Sequence, residues 1–215
     1  MKYKVYYFWN DHQKQLLDDY FLPSFLSYNG DNFELNGIKF DVDFGNTSYG
    51  TSGYKRLIID RVKKLIDILK RNNEGEFFIM TDIDVQFFGS IKDIIDKKVS
   101  DNFDMVFQSE SPFDKIVNCG FMLIKTTPST ITFWQNILNT ILSFHDGHFI
   151  HDQHVANDML KETPNCIKWD RFDSRVWAWS YGELNKDILL HHANCCSSIV
   201  DKNEQLSHVK SYIYK

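Results

Sequence analysis

The chain has 215 residues, 43% of them hydrophobic and 25% charged, with a net charge of -5 at neutral pH. That length suits one large domain, or one and a half, with a sizeable core, and the negative balance speaks against nucleic acid as a bulk polyanionic partner. No apolar run approaches the length of a membrane span, and no N-terminal stretch has the layout of a secretory signal.

Tyr3–Trp9 reads as a first strand, ending at Asn10 and Asp11. From His12 to Tyr28, apolar residues at Leu16, Leu17, Tyr20, Phe21 and Phe25 follow a helical period that Pro23 kinks or splits. Asn29–Asn32 is a turn, and Ile38–Phe44 alternates apolar and polar residues as a strand. Its Asp43-Phe44-Gly45 imitates a kinase metal motif, but no other kinase motif accompanies it. Asn46–Gly53, including Ser48 and Tyr49, is a polar, glycine-bearing loop that lacks the terminal Gly-Lys-Ser/Thr of a phosphate-cradling P-loop. Tyr54–Arg71 is a strong amphipathic helix, with Leu57, Ile58, Arg61, Val62, Leu65, Ile66 and Leu69 at helical spacing.

Phe77–Gly89 is the stretch on which the rest is organised. Its apolar, aromatic-rich run predicts a buried strand. Asp82 and Asp84 fall where that strand should end, and strand alternation turns both to one face and Ile83 to the other. Two like charges at the rim of a core repel, and a divalent cation with oxygen ligands relieves that cost. A capped or salt-bridged aspartate pair is the bland alternative.

A short helix follows near Ile91–Asp96, then strands at Phe103–Gln108 and Val117–Lys125. Helices are predicted at Pro128–Phe144 and Asp152–Lys161, with a loop over His145–His151 between them. Ile167–Trp169 is a short strand and Arg171–Gly182 is aromatic and irregular. Ile188–His192 is a last strand and Glu204–Tyr214 a last helix. This alternation gives an α/β sandwich with a mainly parallel first half. Ligands in such sheets bind beyond the carboxyl ends of the strands, where Asn10, Asp43, Asp82 and Asp84 all fall.

Four segments, in order, resemble the nucleotide-diphospho-sugar glycosyltransferases of GT-A fold. They are Met80–Val85 preceded by a helix bearing Lys64; Asn118-Cys119-Gly120-Phe121-Met122; Asp152-Gln153 opening a helix that carries Asn157; and His192-Ala193-Asn194 followed by a helix near Lys202. The resemblance spans essentially the whole chain. It implies a Rossmann-related central mixed sheet flanked by helices in a single domain. Residues 1–100 would form the nucleotide-binding half and 101–215 the acceptor-side half.

The same resemblance implies Mn²⁺ or Mg²⁺ held by Asp82, Asp84 and His192, and a nucleotide-sugar donor, a UDP-sugar. Lys64 would contact the donor sugar or diphosphate, and Asn118, Gly120 and Asn194 would lie along the donor. Asp152 and Gln153 would sit near the anomeric carbon, Asp152 as a base or sugar-holding carboxylate. Only one of His191 and His192 can face the site if the strand runs through both. The acceptor could be a glycan, lipid-linked, protein or small-molecule hydroxyl.

His145, His148, His151 and His154 recur regularly, but they cross a loop at Gly147 and cannot share one face as a zinc site. Trp169, Trp177, Trp179 and Tyr181 suit either the apolar faces of sugar rings or the core. The four cysteines show no zinc-ribbon spacing and read as reduced thiols in a cytosolic protein. A nucleotidyltransferase, the main alternative, would carry a glycine-rich loop after the first strand, and Phe8–His12 has no glycine. A non-catalytic sugar-nucleotide-binding module is disfavoured by the intact Asp82, Asp84 and His192 set.

Overall fold

The computed structural model describes residues 2–40, 42, 45, 50–110, 115–144, 150–163, 165–177, 185–196 and 198–215, apart from the Trp177 side chain. The expectations for Asp43, Ser48, Tyr49, His145, His148, Trp179 and Tyr181 lie outside these residues.

β1 (Tyr3–Trp9) forms as the sequence predicts. Residues 11–29 then form one irregular helical stretch: a 3₁₀ turn (Asp11–Gln13), α1 (Lys14–Leu16), a π turn (Leu17–Phe21) and α2 (Leu22–Asn29). The wide turn ends at Phe21, two residues before Pro23, whose missing N–H cannot continue a regular ladder. β2 (Phe33–Lys39) begins earlier than the predicted Ile38 and stops where that strand was expected to run on. Asn36 and Gly37 obscure its alternation. Gly37 lies opposite Tyr7, and a Cβ there would come within 2.5 Å of the Tyr7 ring.

α3 (Ser52–Arg71) is capped by the Thr51 side chain, which accepts from the Tyr54 N–H. β3 (Phe77–Thr81) is buried on both faces, which is why its sequence runs apolar without a break. Phe78 and Met80 enter one core with Val62, Leu65 and Trp134, while Ile79 enters the other with Phe21, Phe25 and Phe87. The predicted single strand is in fact two: residues 82–84 turn, and β4 (Val85–Phe87) follows.

α4 (Lys92–Ser100), β5 (Met105–Ser109), β6 (Val117–Lys125), α5 (Pro128–Ser143) and α6 (Asp152–Glu162) lie close to expectation. β7 (Trp169–Arg171), β8 (Val176–Trp177) and β9 (Leu190–His192) are too short to show a period. α7 (Ile199–Ile213) starts earlier than the predicted Glu204, at a capping box of Ser198 and Asp201.

The strands form one mixed sheet in the order β2-β1-β3-β6-β5-β8-β9-β4, with β7 also on β5. β2, β1 and β3 are parallel, and β6 is antiparallel to β3 and to β5. Only three residues separate β3 from β4, yet the two lie far apart in this order. The β6-to-β4 portion must therefore curl round until its last strand meets the end of β3. That curl sets β9 antiparallel to β4, with His192 opposite Val85.

Candidate active site

Backbone bonds from both sides hold the Asp82–Asp84 turn. The Asp82 N–H donates to the Gly120 carbonyl at 2.7 Å, and the Ala193 N–H donates to the Asp84 carbonyl at 2.8 Å. Ile83 is buried in the core beneath. Asp82 and Asp84 thus converge as expected, but through an anchored turn and not through strand alternation.

His192 faces them, its Nε2 3.3 Å from Asp84 Oδ1 and 4.0 Å from Asp82 Oδ2. Its Nδ1 lies 3.1 Å from Gln108 Oε1, which accepts that proton and leaves Nε2 for the carboxylates. Gly120 makes room for the ring: a Cβ there would lie 2.6 Å from His192 Nδ1 and 2.8 Å from Asn118 Oδ1. His191 points elsewhere. It is buried with neither ring nitrogen hydrogen-bonded among the described residues, and burial with the nearby His192 pushes it down to about 3.

Charged partners hold this corner together. The Lys202 ammonium is ion-paired with Asp84 Oδ2. Burial opposes the Asp84 charge, but Lys202 and then His192 outweigh it and hold the carboxyl well below the usual range. Burial likewise opposes the charge on His192, and Asp84 prevails, raising the imidazole above its ordinary 6.5. Asp82 shifts upward, by burial first and then by Asp84 against the pull of Arg61. With 35% of its side chain exposed, Asp82 feels that burial less than Asp84 does.

Arg61 reaches from α3 to both halves of the chain. Its Nη2 is 3.0 Å from Asp82 Oδ1 and donates to the Cys119 carbonyl at 2.6 Å, while Nη1 pairs with Asp152 Oδ2. Burial disfavours the guanidinium charge, but Asp82 and Asp152 more than offset it. Asp152 is only 2% exposed, and Arg61 holds it ionised against the cost of burial. Its other oxygen accepts from the Gln153 N–H at 2.9 Å and lies 3.6 Å from His151 Nδ1. Asp152 is the first residue of α6; the cap position belongs to His151.

A second corner is built of side-chain amides. Glu110, just past β5, accepts from Asn118 Nδ2 at 2.5 Å, Gln153 Nε2 at 3.1 Å and Asn194 Nδ2 at 2.5 Å. The structure therefore brings Asn118, Gly120, Gln153 and Asn194 together beside the carboxylate pair. Asn157 fastens α6 to the start of β6 by paired bonds with the Val117 N–H and carbonyl. Lys64 stands apart on α3, 3.7 Å from Asp60.

The residues fit a divalent cation. Among the described residues, Asp82, Asp84 and His192 form the one group of three or more such side chains whose ligand atoms lie within 4.8 Å of each other. Two carboxylates and one imidazole, with the imidazole already oriented by Gln108, are a donor set for Mn²⁺ or Mg²⁺. His151 and His154 stack with ring centroids 4.0 Å apart and lie outside that group.

Three site residues escaped the sequence reading. Arg61 was visible as a cation among Ile58, Val62 and Leu65, a spacing at which a charge signals a buried partner. Gln108 and Glu110 carry no local signal, because their partners lie far away in the chain.

With this geometry in hand, the chain matches the nucleotide-diphospho-sugar transferase family over residues 19–206 and belongs to it. Its fold is the GT-A glycosyltransferase fold. The glycosyltransferase GlyE of Streptococcus pneumoniae TIGR4 superposes with a TM-score of 0.63 at 12% identity, over 99% of this chain and 64% of that one. This chain thus spans less than two thirds of GlyE. A glycosyltransferase involved in glycosylation of the major capsid of PBCV-1 gives 0.63 at 15% identity, over 98% and 100% of the two chains. The galactosyltransferase LgtC, in complex with donor and acceptor sugar analogues, gives 0.56 at 11% identity, over 95% of each chain. No curated protein matches this chain by sequence.

Proposed function

We propose that this chain is a metal-dependent glycosyltransferase that moves a sugar from a nucleotide-diphosphate donor, a UDP-sugar, to an acceptor hydroxyl. The observation that carries the proposal is the convergence of Asp82 and Asp84, in the turn between β3 and β4, with His192 on the β9 strand that pairs with β4, in a member of the nucleotide-diphospho-sugar transferase family. When bound by these three residues, Mn²⁺ or Mg²⁺ would stabilise negative charge on the departing nucleoside diphosphate.

The protein's own groups do the rest. Lys202 is close enough to the carboxylate pair to exchange its contact with Asp84 for one with a diphosphate. Asn118, Gln153 and Asn194 orient the donor sugar, beside Gly120, whose missing side chain gives the His192 ring its place. Asp152 has both oxygens engaged, which favours an indirect part: it holds Arg61, and Arg61 holds Asp82. Gln153, less buried than Asp152 and with a second NH₂ hydrogen beyond its bond to Glu110, is the better candidate for contact with the sugar. Residues 1–100 supply the nucleotide side with Lys64 at its margin, and residues 101–215 the acceptor side. His192 and Lys202 cross from the second to the first. The acceptor hydroxyl belongs to a glycan, lipid-linked, protein or small-molecule substrate. The four free thiols support a reducing, cytoplasmic setting.

The test is donor hydrolysis. The protein is incubated with Mn²⁺ and, separately, UDP-glucose, UDP-galactose, UDP-xylose, UDP-N-acetylglucosamine and GDP-mannose, and free nucleoside diphosphate is measured. Release from one or more UDP-sugars, abolished by EDTA, is expected. Release that persists in excess EDTA would sink the metal-dependent reading.

A further inference from the structure

Glu110 has no role in the scheme above, yet no other carboxylate among the described residues collects as many side-chain amides. Gln108 lies on β5 just past the register shift that follows Phe107, and Glu110 comes immediately after the strand's last residue, Ser109. Gln108 orients His192. Glu110 divides its two oxygens among three separate elements. Oε2 takes Asn118 of β6 and Gln153 of α6, while Oε1 takes Asn194 of the turn after β9, with the Cys195 thiol at 3.9 Å.

An ionised carboxylate accepts hydrogen bonds and donates none. Every amide that meets Glu110 must therefore turn its NH₂ inward and its oxygen away. The bonds on the far side agree with this. Asn118 Oδ1 accepts from the Gly120 N–H at 2.7 Å, and Gln153 Oε1 accepts from the Cys119 N–H at 3.4 Å. One carboxylate thus selects one of two orientations for side chains that could otherwise flip at little cost. The backbone it steadies, Cys119–Gly120, is the same segment that touches Arg61, Asp82 and His192.

We propose that Glu110 is a positioning residue for sugar transfer. It fixes the sense of the Asn118, Gln153 and Asn194 amides around the donor sugar and takes no part in holding the nucleoside diphosphate. This rests on the glycosyltransferase reading above.

The test is Glu110→Gln, which keeps the shape of the side chain and replaces one accepting oxygen with an NH₂. That NH₂ must face another NH₂, so at least one amide turns over or loses its bond. Calorimetry with UDP and Mn²⁺ reads the phosphate corner and confirms that the variant is folded. Hydrolysis of whichever donor the wild type turns over fastest reads the sugar corner, and the Asn118, Gln153 and Asn194 side-chain NH₂ signals in NMR read the amides directly. UDP–Mn²⁺ affinity is expected to stay within about threefold, kcat to fall about 10–100-fold from misplacement alone, and the NH₂ signals to shift and lose exchange protection. Wild-type kcat in the variant overturns the proposal, as does a loss of UDP–Mn²⁺ affinity equal to the loss in kcat. A wild type that releases no nucleoside diphosphate from any donor overturns the glycosyltransferase reading, and this proposal with it.

Discussion

The two corners of the site are held by different physics. Around Asp82 and Asp84 the contacts are ionic: His192, Lys202 and Arg61 answer carboxylates in a largely buried setting. Around Glu110 they are directional hydrogen bonds from neutral amides to a single charge. The first corner should respond to pH, metal and loss of charge. The second should respond to geometry, with its total charge changing little. Arg61 and Gln108 matter because they link the corners: Arg61 joins Asp82 to the Cys119 carbonyl and Asp152, and Gln108 reaches His192 from the strand that leads to Glu110.

The largest effect should come from breaking the Arg61 bridge. Arg61→Met leaves Asp152 buried and uncompensated, which costs about 3–5 kcal/mol for a buried pair. For a chain of this size that is a fall in Tm of roughly 6–20 °C, read by calorimetric melting. Adding Asp152→Asn should recover part of the loss. A Tm unchanged in Arg61→Met would mean that the bridge carries no net stability.

Removing the support behind His192 should weaken the ionic corner without unfolding it. Gln108→Leu deletes the acceptor for His192 Nδ1 and should reduce UDP–Mn²⁺ affinity by about 10–100-fold, measured by calorimetry. Equal affinity would show that the ring needs no such support.

The pH response should separate the corners. A metal takes the neutral imidazole, and Asp84 raises the His192 value above 6.5 in the metal-free protein. Mn²⁺ affinity should therefore rise with pH, about tenfold per unit below the raised value, and level off above it. In the metal-free protein the sign is reversed: the His192 contribution to stability is complete below the unfolded value near 6.5 and is lost as pH climbs through the folded one. A Mn²⁺ affinity flat from pH 6 to 8 would contradict this assignment.

The smallest effect belongs to Lys64→Ala. A half-buried i,i+4 helical pair with Asp60 at 3.7 Å is worth about 0.3–0.5 kcal/mol, so melting should scarcely change. If UDP–Mn²⁺ affinity falls while Tm holds, the donor lies nearer α3 than the Arg61 contacts suggest.

The sequence was most legible where order is local. β1, α3 and the interior of β6 follow from period and composition alone, and Asp82 and Asp84 announce themselves as paired charges after a buried strand. Legibility fails where long-range closure decides. β8 and β9 are ordered by the curl of the sheet, and no local pattern says that β4 will pair with β9. The choice between His191 and His192 follows from that pairing, since each strand register offers a different ring to the site. Glu110 is hidden for the same reason: its partners come from β6, α6 and the segment after β9. Arg61 is the opposite case, since its place on the apolar face of α3 was in plain view and only its partners were not.

The central claim is that Asp82, Asp84 and His192 together hold a divalent cation for a nucleoside diphosphate. The most direct test is titration of Mn²⁺ in the presence of UDP, following the free-ion signal by electron paramagnetic resonance. Wild type, Asp84→Asn and His192→Ala are compared, with melting curves to confirm folding. Wild type is predicted to deplete the free signal at one ion per chain, and each variant to bind more than about 100-fold more weakly, beyond the loss expected for a supporting residue. Folded variants that take up Mn²⁺ with UDP as tightly as wild type would contradict the account.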